Sequence, residues 1–380
     1  MRRGSVQLRR VRGTLALAAL LASACATPAP RKEVVWPAPP DVARVRFVRA
    51  FGAEADLGPS GWQMFARAIT GEQSPLRVVQ ATGVAVGNDE KKIYVAQPSG
   101  LLCFDLESKV VTQVGTQPGY ELSLPFDLDF DAEGAMYVSD SVRHSVMVYA
   151  PDGAFRAEIG KAELVRPTGI AIDRARGLLY VADSANKASD HHVIEVYKLA
   201  GEHVRTIGKK GTGPGELYFP VYLALSPAGE IYVGDVMNFR IQIFDSEGKL
   251  RGSFGEAGDT YGKFGRIKGL AFDAFGNLHV ADGEYGLVQI LNARHEPLMY
   301  YGGRAAALEF FDMPTGIAVD SKNNLYVANF YIGRVNQYQI INTKAEDSFM
   351  TPDDSAPAPE TPKTATPAAA PAQVEHVGAH

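Results

Sequence analysis

The chain has 380 residues, 46% hydrophobic and 21% charged, with a formal net charge of −5. That is ordinary globular composition, with length for one large domain or two to three smaller ones. Only Cys25 and Cys103 are present, which excludes a disulfide framework, and 38 glycines favour a turn-rich all-β chain.

Residues 1–24 carry five arginines and no acid, and their TLALAALLASA run is 11 residues long. A spanning helix needs ~20, so a secretory signal is expected. The small residues before Cys25, in LLASAC, resemble a bacterial lipobox. The resemblance implies a diacylglycerol on the Cys25 thiol, cleavage before it and a stable membrane anchor. Ala26, in place of an aspartate, implies the outer membrane. Without the leader arginines, 33 basic residues face 43 acidic ones, a balance of about −10. A polyanion lacks the cationic contacts that dominate nucleic-acid affinity, so no nucleic-acid partner is expected.

Residues 25–42 are Pro-rich and lack apolar periodicity, as a semi-extended tether would. Residues 43–344 contain a repeat. Its second strand is written IYVAQ, MYVSD, LYVADS, IYVGD, LHVAD and LYVAN, at spacings of 43, 43, 52, 47 and 47 residues. Ten or eleven residues earlier lies a first strand (TGVAV, FDLDF, TGIAI, VYLAL, KGLAF, TGIAV). One side of that strand is bulky, as in Val84/Val86 or Ile317/Val319, and the other is mostly Gly and Ala, as in Gly83/Ala85 or Gly316/Ala318. Sheets with one thick and one thin face can stack on copies of themselves around an axis. Third and fourth strands complete each unit except the sixth, which lacks a fourth. VRFVRAFG at residues 45–52 has the missing strand's shape. The expected fold is an all-β six-bladed β-propeller with four-stranded blades, the N-terminal strand closing the last blade. Residues 345–380, dominated by Pro, Ala, Thr and acids, are expected to be disordered.

The pattern P-x-G-[IVL]-A-[VI]-D, then [LI]-Y-V-[AS]-D, resembles the NHL repeat over about 300 residues. The resemblance implies the architecture; the family includes RNA-binding, protein-binding and enzymatic members.

Fourth-to-first and second-to-third connections share one face, and there the long loops fall. They carry the candidate ligand-binding residues Tyr120, Tyr218, Tyr261 and Phe311, with His144 and His192 in second-to-third loops. Residues 60–70 are expected to form a short helix on the same face. Trp62, Phe65, Ala66 and Ile69 make its apolar side, Ser60 its start and Gly71 its end. Asp127 and Asp129 replace Gly and Ala in blade 2, and Tyr222 does so in blade 4. Two carboxylates at i and i+2 lie ~7 Å apart and suit either a hard cation or neighbouring strand amides. Asp140, Asp183, Asp235 and Asp282, with Gln97 and Asn329 as isosteres, are expected to accept turn N–H groups. His279 and Cys103 are expected in the core.

Two functions follow. One is a monomeric envelope lipoprotein without a cofactor, binding a protein or glycan through the long-loop face. The other is a lyase- or lactonase-type metalloenzyme, as similar propellers imply, with Asp127, Asp129, His144 and His192 converging on the channel mouth.

Overall fold

The alternation of bulk and glycine along each first strand becomes a stacking rule in three dimensions. The computed structural model describes residues 33–70, 76–305 and 307–343. Among these residues six antiparallel sheets form a β-propeller, five of four strands and one of five. Blade 1 comprises Gly83–Val86, Lys92–Gln97, Gly100–Asp105 and Val110–Val114. Blades 2 to 5 repeat this order, with first strands Pro125–Phe130, Pro167–Asp173, Pro220–Leu225 and Ile267–Phe272.

Bulk packs on thinness between consecutive blades. Leu128, Phe130 and Val138 of blade 2 lie against Ala85 and Ala96 of blade 1. Leu223 and Val233 of blade 4 meet Ala171 and Ala182 of blade 3 in the same way. Each such side chain contributes ~1.5–3 kcal/mol when fully buried. The glycines are required by close approach: a Cβ at Gly83 would stand 2.7 Å from the Phe126 carbonyl oxygen, and one at Gly316 would stand 2.8 Å from the Gly83 Cα. His279 and Cys103 lie in the core, 0% and 6% exposed.

Blade 6 is assembled from both ends of the described chain. Pro314–Val319, Asn324–Asn329 and Arg334–Ile340 are completed by Val45–Phe51, with Phe51 opposite Val335 and Val45 opposite Ile340. Part of the expected tether is also ordered. Val35–Trp36 adds a short fifth strand on Val45–Phe51, and the Trp36 ring packs 5.8 Å from that of Tyr338. The leader, Cys25, Gly71, residue 344 and the tail of residues 345–380 lie outside the described residues.

The helix, α1, spans Gly61–Thr70. Its start is a reciprocal cap: the Gln63 N–H donates to Ser60 Oγ (3.2 Å) and the Ser60 N–H to Gln63 Oε1 (2.7 Å). Its location differs from the expectation. Leu57, buried with Phe104 and Val111, carries the chain across the blade 6–blade 1 junction. Gln63 Nε2 then donates to the Ser108 carbonyl, and Lys109 Nζ to that of Gly58. Ser108 and Lys109 form the turn between the third and fourth strands of blade 1, on the short-hairpin side. The apolar side of α1 meets no long loop: Trp62, Phe65 and Ile69 are 74%, 54% and 69% exposed.

Candidate functional site

The residue ending each second strand fixes the long loops. Asp140 accepts the N–H groups of Ser123 (2.6 Å) and Leu124, and Asp183 those of Val165 (2.7 Å) and Arg166. Asp282 does the same for Gly265 and Arg266, and Asp235 for Tyr218. Gln97 and Asn329 substitute, taking Val79 and Asp312. These acceptors hold the loop entering their own blade, about 17 residues upstream, as well as the following turn; Asp140 also takes Val142 and Arg143. Buried carboxylates paired with two or more N–H groups make rigid loop bases.

The aromatic candidates separate by exposure. Phe311 is 0% exposed, packed against Tyr301 and Tyr338, so it is a core residue and not a ligand contact. Tyr120 is stacked on Phe155 at 4.0 Å and 11°, and its carbonyl accepts the Tyr149 hydroxyl. Tyr218 is half-buried, edge-on to His192 and beneath Lys210. Tyr261 lines a cleft. With Tyr285, Tyr300 and Leu287 it borders a space of about 350 Å³ on the long-loop face of blade 5. Tyr261 and Tyr300 are 56% and 44% exposed, with ring centroids 5.4 Å apart. Gln289 braces the cleft, accepting the Gly262 N–H (2.9 Å) and donating to the Lys263 carbonyl (2.7 Å). Tyr285 and Tyr300 were not singled out from the sequence; only their convergence on Tyr261 marks them.

At the axis, the two aspartates serve the inner sheet edge. Asp127 Oδ2 accepts the Ile170 N–H (3.2 Å) and Asp129 Oδ2 the Ile172 N–H (2.8 Å), both on the unpaired edge of blade 3. Burial pushes the Asp127 carboxyl up to about 7, against the pull of its N–H partners. Burial also raises Asp129, opposed by Arg174 at 3.4 Å. Tyr222 crosses the channel: its hydroxyl donates to the Thr82 carbonyl (2.9 Å), three blades away, and its ring contacts Phe126. Below this bar lies a cavity of about 320 Å³ that includes Asp127, Asp129, Tyr222 and Arg174. Its walls are the downstream halves of the first strands and a first hairpin, so it opens on the short-hairpin face. The channel mouth is therefore opposite to the face expected.

Above the bar stands Lys268, at the position of Thr82, Thr168 and Thr315 in other blades. No hydrogen-bond or ion-pair partner meets its Nζ among the described residues, and its chain lies over Gly283, where a Cβ would be 3.1 Å from Lys268 Cγ. Burial, with Arg266 and Arg166 nearby, lowers its pKa to about 8. The substitution was visible in KGLAF beside TGIAI.

The histidines do not join the aspartates. His192 is 0% exposed, ringed by Tyr218 and Phe219, and burial lowers its pKa. It lies on a third strand, two strand spacings or ~10 Å out from the inner strand. His144 is exposed and bonded through Nδ1 to the Val165 carbonyl. Among the described residues no group of three or more His, Cys, Asp or Glu side chains is placed to hold a metal.

No family model matches the chain. It is 26% identical over 279 residues to peptidyl-glycine alpha-amidating monooxygenase A of Xenopus laevis, covering 68% of this chain and 28% of that protein. It is 25% identical over 136 residues to protein brain tumor of Drosophila melanogaster, covering 34% and 12%. The chain thus spans about a quarter or less of the length of these relatives. Among solved structures, a Bacteroides thetaiotaomicron protein of unknown function aligns with TM-score 0.56 at 18% identity, over 70% of this chain and 71% of that one. A gluconolactonase-type structure aligns at 0.54 and 12%, over 70% and 89%. These likenesses show the propeller fold.

Proposed function

We propose that this chain is an NHL-type envelope lipoprotein, anchored in the outer membrane through Cys25, that binds a protein or glycan with the long-loop face. The blade 5 cleft is the observation that carries this reading. Exposed tyrosines over an apolar floor supply large contact area at low conformational cost, and Gln289 holds their loop in place before any ligand arrives. Its size is within the usual range for ligand clefts.

The test is capture of detergent-solubilised envelope proteins and of an immobilised glycan panel by the mature chain. Tyr261→Ala or Tyr300→Ala should weaken the captured ligand at least thirtyfold, about 2 kcal/mol, with the fold intact. Tyr120→Ala should change it less than threefold. Equal capture by all variants would remove the cleft from the binding surface.

A second reading is an enzyme working in the axial cavity, favoured by the near-neutral Asp127 carboxyl, a proton affinity suited to acid–base chemistry. His144 and His192 have no place in that version.

A further inference from the structure

α1 is a ten-residue helix whose apolar side is turned to solvent. Trp62 and Phe65 are adjacent on it, ring centroids 5.7 Å apart, and Ile69 follows one turn on. A helix normally buries such a stripe against its own domain. Here the start of the helix is held away from the core: the cap fixes the first turn, Gln63 ties it to the rim of blade 1, and Lys109 holds Gly58 just before it. The sequence GWQMFARAIT holds Arg67 and no acid, in a chain with 43 acidic residues. Aromatic and aliphatic groups on one side, a cation and no anion make the composition of a helix that lies in a bilayer interface. It is too short to cross one, and no helix among the described residues is long and apolar enough to do so.

The occupant follows from the chain's own length. Ordering of residues 33–36 on the edge of blade 6 leaves only residues 26–32 between Cys25 and Glu33. Fully extended, the chain from Cys25 to Glu33 reaches less than ~30 Å. Glu33 pairs with Arg46 on the outer strand of blade 6, and α1 is fastened to the outer turn of blade 1, the next blade in the ring. A lipid on Cys25 would therefore keep the blade 6–blade 1 side of the ring within that distance of the membrane.

We propose that the Trp62, Phe65 and Ile69 side of α1 inserts into the bilayer interface as a second membrane contact, fixing how the propeller stands on the membrane. This geometry rests on the lipid-anchor reading, but the helix can be tested without the lipid.

The probe is the mature chain carrying Cys25→Ser, which cannot be acylated, mixed with phosphatidylethanolamine–phosphatidylglycerol vesicles. Trp36→Phe leaves Trp62 as the sole tryptophan. Its emission should shift to the blue and be quenched by brominated lipid. Phe65→Ser with Ile69→Ser should lower vesicle partitioning at least tenfold, while far-UV circular dichroism and the melting temperature stay at the parent values. Absence of quenching, or equal partitioning of the double variant, overturns the proposal. So does a vesicle-independent dimer in sedimentation velocity that the same double variant abolishes, since a second copy would then cover the helix. Acylation of Cys25 is read separately, by mass spectrometry of the exported wild-type chain. An unmodified Cys25 with intact vesicle binding would sink the anchor and leave the helix contact standing.

Discussion

The two ends of the propeller axis are built from the same ring of first strands and have opposite chemistry. On the long-loop side the axis is shut by Tyr222 and crowned by Lys268, with Arg166 and Arg266 close by. On the short-hairpin side it opens into a cavity with Asp127 and Asp129 in its wall. The difference comes from single substitutions at positions where most other blades use Gly, Ala or Thr. Where the inner strand carries no bulk, its unpaired edge faces the channel. Each larger residue then either satisfies that edge, as the aspartates do, or spans the gap, as Tyr222 does. The long-loop side is closed at its axis by Tyr222, and the cavity opens from below.

Both ends exist only while the ring is closed, which gives the largest predicted effect. Deleting residues 43–52 removes the strand that pairs with Arg334–Ile340 and should abolish the cooperative urea transition entirely. A truncated domain that melts like its parent would mean that blade 6 closes another way. Next in size is the bar. Tyr222→Ala should cost about 3–4 kcal/mol in urea unfolding and join the two mouths, whereas Tyr222→Phe, which loses only the bond to Thr82, should cost about 1 kcal/mol. Equal costs would show that the ring is not the part that matters.

The smallest effects are pH-dependent and run in opposite senses at the two ends. Asp127 is raised from 3.8 to about 7 in the folded state, so the native chain holds an extra proton between those values. Stability from this group is full below pH 4 and is lost as pH rises through 7. Asp127→Asn should therefore gain ~1–2 kcal/mol over the parent at pH 8 relative to pH 4, less than the full shift because the carboxyl borders an open cavity. Lys268, lowered from 10.5 to about 8, destabilises the fold below pH 8, and this cost is relieved between pH 8 and 10.5. Lys268→Met should remove about 1 kcal/mol of that rise. Denaturant midpoints at four pH values measure both. A parallel response of the two variants would contradict the opposite charge of the two mouths.

The repeated parts are legible in the residues alone. The bulky–thin alternation, the six second strands and the orphan strand VRFVRAFG specify six blades and their closure, because each rests on contacts within a repeat or between identical neighbours. The same locality made the start of α1 legible from Ser60, and the apolar stripe from its spacing. What the stripe meets was not legible, since periodicity reports which side of a helix is apolar and nothing about what lies beside it. Packing in three dimensions separates the buried Phe311 from the open Tyr261, although both are aromatics in loops of similar make. The choice depends on whether Tyr301 and Tyr338 close over the ring. The axis was decided the same way: Tyr222 reaches Thr82 across 140 residues of sequence, and no local pattern encodes a contact whose two partners stand on opposite blades.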